Sequence, residues 1–85
     1  MKFGFIWMRL KDGTIKIIGG RGLSVDVEEG NLVFKNTEIQ IELKPPVTKE
    51  ELHDVLKDVR YRFGKDAARE LATILKSIPE LGYSD

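Results

Sequence analysis

His53 is the single histidine of the chain, and it stands among carboxylates at Glu50, Glu51, Asp54 and Asp58. A histidine beside carboxylates is the raw material of general acid–base chemistry, which needs a positioned base and a third group to orient it. The spacing supplies neither. His53 follows Leu52 on an amphipathic pattern and faces away from its apolar stripe, so a surface position is expected. The chain has no cysteine, which removes thiolate nucleophiles, disulfides and thiolate zinc sites together. Glu50, Asp54 and Asp58 recur at every fourth position on one helical face. Hard cations want more converging oxygens than that face offers, and a solvated acidic face is expected instead. No catalytic residue, metal site or cofactor is assigned.

Two other patterns bear on binding. Gly19-Gly20-Arg21-Gly22 has the composition of a phosphate cradle. Phosphate loops run from a strand into a helix N-terminus, whereas this one joins strand to strand, so a connector is expected. Arg62, Lys65, Arg69 and Lys76 would form a basic stripe if helical phase held across Gly64. A charged stripe opposite an apolar one is the ordinary solvent face of a helix.

The aromatic residues carry more. Phe3, Phe5 and Trp7 alternate along the first strand, with Arg9, and Asp12-Gly13 turns the chain into Thr14–Ile18. Asp-Gly between such runs signals a hairpin with a two-residue loop. That loop sets Leu10 opposite Ile15, Arg9 opposite Lys16 and Trp7 opposite Ile18. One face then holds Ile6, Met8, Leu10, Ile15 and Ile17. The other collects Phe3, Phe5, Trp7, Arg9, Lys16 and Ile18, with Arg21 beyond it. Helices cover only one face of a single sheet, so a strand apolar on both faces needs a second cover. The candidates are the sheet curled onto itself, a protein partner or second copy, and a nucleic acid. Aromatics and arginine suit the centre of a protein interface. The same set could stack bases and meet phosphates, although a net charge of zero gives nucleic acid little long-range attraction.

The elements that must hold this face follow from the pattern. Leu23, Val25 and Val27 alternate with polar residues, Glu28-Glu29-Gly30-Asn31 turns, and Leu32 to Lys35 returns. Asn36-Thr37 turns again into Ile39, Ile41 and Leu43, which alternate strictly with Glu38, Gln40 and Glu42. A two-residue loop there pairs Phe34 with Ile39, giving a meander. Pro45-Pro46 ends the sheet. Thr48-Lys49-Glu50-Glu51 is a capping box, followed by Leu52, Val55, Leu56, Val59 and Phe63 at helical spacing. Ala67, Ala68, Leu71, Ala72, Leu75 and Ile78 form a second helical series, and Gly64 divides the two.

The expected fold is therefore α+β: a five-stranded antiparallel meander sheet, open or curled, followed by two C-terminal helices packed on one face. At 85 residues, one domain is expected over 1–85, with a β half at 1–44 and a helical half at 47–79. The lack of cysteine and of a long apolar run makes it cytoplasmic by expectation. Few amides beside many Lys, Arg and Glu is a composition favoured in hot environments. Charge is segregated: residues 1–22 carry a net +4, and 23–43 a net −4. Such a split can steer a partner or a second copy. The function read from all this is a non-catalytic interaction domain. It would self-associate or dock on a protein through Phe3, Phe5, Trp7, Arg9, Lys16, Ile18 and Arg21, with a small nucleic-acid-binding module using the same face as the alternative.

Overall fold

The computed structural model describes residues 2–84. Five strands, β1 (Phe3–Arg9), β2 (Ile15–Arg21), β3 (Ser24–Glu28), β4 (Asn31–Lys35) and β5 (Ile39–Leu43), precede two helices, α1 (Lys49–Phe63) and α2 (Lys65–Ser77), and a short 3₁₀ turn at Pro79–Leu81. All strand pairs are antiparallel, and the sheet does not close into a barrel, so the α+β class is as expected. The strands divide differently from a meander. β1, β2 and β5 make a three-stranded sheet with β2 in the middle, and β3 with β4 makes a separate two-stranded ribbon. Phe34 pairs with Val25 rather than with Ile39, which pairs with Gly19.

The first hairpin turns through three residues rather than two. The Gly13 amide donates to the Leu10 carbonyl (3.0 Å) and the Leu10 amide to the Thr14 carbonyl (2.8 Å). Gly13 has φ 91°, the left-handed conformation that closes a three-residue loop. Arg9 accordingly faces Ile15, Trp7 faces Ile17 and Phe5 faces Gly19. This one-residue slip from the expected register exchanges the faces of one strand relative to the other.

The consequence is an inner face that is apolar between Arg9 and Arg21. Phe3, Phe5 and Trp7 of β1 lie with Ile15 and Ile17 of β2 and with Ile39, Ile41 and Leu43 of β5. Leu52 and Val59 of α1, Ala67, Leu71 and Leu75 of α2, then Ile78 and Leu81, complete one core. Gly19 makes room in it: a Cβ there would stand 2.6 Å from Phe5 Cδ1 and 2.9 Å from Phe3 Cε1.

Thr48 caps α1 in the way its sequence predicts. Its Oγ1 accepts from the Glu51 amide (3.1 Å), and the Glu51 carboxylate accepts from the Thr48 amide (3.4 Å). The helices separate at Gly64, whose φ of 96° and ψ of 169° no helix continues. Among the described residues, no helix is long and apolar enough to cross a membrane.

Candidate interaction surface

The seven residues singled out in the sequence do not form one surface. Phe3, Phe5, Trp7, Arg9 and Arg21 belong to the helix-facing side, while Lys16 and Ile18 point the other way. Phe3 is 8% exposed, with its ring 5.1 Å from Phe5 and 4.7 Å from Phe63. Phe5 and Trp7 pack partly buried against the same core. The proposed docking face of aromatic rings is thus largely spent inside the subunit, because the slipped register turns it toward the helices. Arg9 lies 5.3 Å over the Trp7 ring and forks onto Glu80, with its Nη2 donating to Glu80 Oε1 at 3.0 Å. Arg21 donates its amide to Glu38 Oε2 (2.7 Å), and its guanidinium stands 3.9 Å from the same carboxylate.

The outward face of the sheet holds Ile6 opposite Ile18, and Met8 opposite Lys16. Ile18 is only 2% exposed, yet it lies outside the core shared with the helices. The link from β4 to β5 crosses this side, with the Asn36 carbonyl directly over Gly20. The two-sided apolar character of the first hairpin is real, and the chain's own link takes up part of its second side.

Among the large apolar side chains left open, Leu10 stands at the first hairpin and Tyr61 on α1, while Val25, Val27 and Leu32 gather on the ribbon. Val25 pairs with Phe34 and Val27 with Leu32, so all four side chains share one face. Exposure rises toward the tip: Val25 is 39%, Leu32 64% and Val27 70% exposed. The opposite face holds Val33 among polar residues, where Lys35 lies 3.1 Å from Asp26 and 3.4 Å from Glu28. Glu29 and Gly30 turn the tip with positive φ. At its base the ribbon is tied to the body by the Asn36 side-chain amide, which donates to the Gly22 carbonyl (3.0 Å). Alternation at Val25, Val27, Leu32 and Phe34 was legible. What hid the ribbon's exposure was the assumption that it pairs with β5.

Two grooves run along the helices. One, of about 540 Å³, lies between Phe3 and the start of α2; of its charges Lys2 pairs with Glu70 (3.8 Å), Arg69 with Asp66 (3.6 Å), and Arg21 with Glu38 outside the groove (3.9 Å). The other, of about 420 Å³, is lined only by α1 and α2. Leu56, Ala68 and Ala72 form its floor, and Lys57, Arg60, Lys65 and Arg69 its walls. Phase does not hold across Gly64, so Arg62, Lys65, Arg69 and Lys76 do not form the stripe that a continuous helix would make, and this groove gathers a different set. Arg62 instead pairs with Asp58 at 3.2 Å.

Among the described residues, the titratable groups lie apart at the surface. No described polar or charged residue is buried, and among the described residues no three His, Asp or Glu side chains converge on a metal position. His53 is exposed and meets the edge of Tyr83 at 6.5 Å. The Glu80 carboxyl is held below the ordinary range by the hydrogen bond from Arg9 and then by a backbone amide. The same bond raises the Arg9 guanidinium. The Asp12 carboxyl is likewise lowered, first by the backbone amide of Thr14, which it accepts at 2.9 Å. A scan against protein-family models, a search of curated proteins and a search of solved structures each find no match for this chain.

Proposed function

We propose that the chain is a non-catalytic, cytoplasmic interaction domain that self-associates through the apolar face of its β3–β4 ribbon. The observation that carries this reading is the set Val25, Val27, Leu32 and Phe34, which lies on one side of a ribbon that packs against little beyond itself. A two-stranded ribbon alone is at best marginally stable in water, and it gains from any surface that covers it. The molecule's dimensions agree. Its accessible surface is 5769 Å², against about 5,100 Å² for a compact monomer of this mass. Its radius of gyration is 13.0 Å, against about 12 Å for this length.

The reading replaces the hairpin face by the ribbon face and keeps the class of function. The nucleic-acid alternative loses its stacking platforms, since Phe3, Phe5 and Trp7 share the helix-packed side, and its Arg9 is engaged by Glu80. Sedimentation velocity over a concentration series tests the proposal. Association is expected between about 1 μM and 1 mM, the range of a modest interface. Val27→Asp with Leu32→Asp is expected to abolish it while leaving the circular dichroism of the body unchanged. A wild type that stays monomeric to about 1 mM rejects self-association.

A further inference from the structure

We propose that the groove between α1 and α2 receives an acidic amphipathic helix from a partner protein. The site is separate from the ribbon and does not rest on self-association. Its charge is one-sided: four cations wall it and no carboxylate lines it, in a chain whose net charge is zero. Helical phase builds this asymmetry. Lys65, Ala68, Arg69 and Ala72 stand at i, i+3, i+4 and i+7, so they share one face of α2. Asp66 and Glu70 fall outside that series and line the other groove. On α1, Leu56 and Lys57 meet Arg60 at i+4 and i+3, while Asp58 turns away and takes Arg62. Among the described residues, no carboxylate pairs with Lys57, Arg60 or Lys65, and the Asp66 that stands 3.6 Å from Arg69 is almost fully exposed.

The groove is more than a charged face, because Leu56, Ala68 and Ala72 give it an apolar floor. Small side chains at both α2 positions let a third helix come close to the backbone. The cations stand about one turn apart along both walls instead of converging on a point. That arrangement suits a row of negative charges better than a single small anion. An apolar stripe flanked by Asp and Glu meets floor and walls together, which is the helix-in-groove mode of recognition. A nucleic acid would use the walls alone, since no aromatic side chain lines the groove to stack a base. The 13 residues of α2 span about 20 Å, so a docked segment of about 14 residues covers the groove. Opposed charge makes the contact weaken with salt, while the apolar floor keeps part of the affinity.

The test uses a fluorescein-labelled peptide of about 14 residues, with Leu at i, i+3, i+4 and i+7 and Glu on both flanks. One control has the same composition scrambled so that the Leu stripe is broken, and a second is a single-stranded oligonucleotide. The protein carries Val27→Asp with Leu32→Asp, which keeps ribbon association out of the titration, and wild type replaces it should that change disturb the strand pairing. Fluorescence anisotropy at low salt is expected to give a Kd of about 10–100 μM for the amphipathic peptide and about tenfold weaker binding for the scrambled one. Lys57→Glu with Arg60→Glu is expected to weaken the amphipathic peptide by about tenfold or more. Ala68→Gln with Ala72→Gln, which fills the floor and keeps every charge, is expected to weaken it by about as much. Amide chemical-shift changes on adding the peptide are expected to map to residues 56–72. Shift changes confined to other residues overturn the inference, as does equal binding of the scrambled peptide. Tighter binding of the oligonucleotide assigns the groove to nucleic acid and overturns it too. So does the absence of peptide binding at about 1 mM. The peptide comparisons need no groove variant, so they decide even if the Gln pair disturbs the helix. None of these outcomes bears on the ribbon, whose self-association is read separately by sedimentation.

Discussion

Gly20 sits where the chain between β4 and β5 passes over β2, and the Asn36 carbonyl occupies the space that a Cβ would need. The obstacle is backbone, which cannot swing aside as a side chain would. Gly20→Ala is therefore expected to lower stability by about 2–3 kcal/mol, at the upper end of overpacking costs. Urea unfolding followed by Trp7 fluorescence measures it. Exposed charge adds a second prediction at this scale. Glu80 has a folded-state pKa below its unfolded one because Arg9 donates to its ionised form. Its contribution is full above the unfolded pKa and is lost as pH falls through the folded one. Glu80→Gln is expected to lower the thermal midpoint slightly at pH 7, with the difference from wild type vanishing in acid below the ordinary carboxylate range. A constant difference across that range would mean the loss is packing rather than charge. The Asp12-Gly13 turn shows what single residues reveal and what they hide. Its location was legible from residue type. Its length was not, because Gly13 serves equally as the second residue of a two-residue loop or as the left-handed third of a longer one. The discriminating clue was compositional. Only the three-residue loop sets Phe5 and Trp7 on one face with Ile15 and Ile17, making the middle of that face apolar, with Arg9 and Arg21 at its ends, and sending Lys16 to the other.

The helices were the most legible elements, since capping and period agree locally. Thr48→Ala is expected to cost about 1 kcal/mol, the usual value for losing a side-chain N-cap, read as a shift of the urea midpoint at unchanged slope. Gly64 works by a different mechanism. At φ 96° any side chain strains the backbone, although nothing lies within 4 Å of a Cβ there. Gly64→Ala is expected to cost about 1–3 kcal/mol through strain alone. Were the variant as stable as wild type, the break between α1 and α2 would not depend on that conformation. Strand partners were less legible than strand positions. Ile39, Ile41 and Leu43 alternate in a way that suits β4 or β2 equally well, because alternation specifies a face and leaves the neighbour open. The choice is made by β2. Ile15, Ile17 and Ile18 make it apolar on both sides, so it belongs in the middle of a sheet, and pairing with β5 puts it there. Gly20 then admits the link that this pairing requires.

At the scale of the molecule, the fold separates into a body that carries the core and a ribbon that carries the exposed apolar face. Every core residue lies in β1, β2, β5, the helices or the segment after α2, and none lies in β3 or β4. Stability and association should therefore be separable. Ser24 and Lys35 stand directly opposite each other at the root of the ribbon. Replacing residues 25–34 by Asn-Gly joins them through a two-residue hairpin turn without moving either. The ties at the base survive, because Asn36 still reaches the Gly22 carbonyl and Glu38 still accepts the Arg21 amide. The shortened chain is expected to unfold cooperatively, within about 1 kcal/mol of wild type, since few buried contacts leave with the ribbon. It is also expected to sediment as a monomer at every concentration where wild type associates. Thermal unfolding at low concentration isolates the first expectation from the second, because mass action then contributes nothing to the wild-type midpoint. A large loss of stability in that dilute comparison would mean that the ribbon shields the outward side around Ile18 within its own subunit. The exposed face at Val27 and Leu32 would then be the by-product of an internal cover, and the case for a docking element would fall with it.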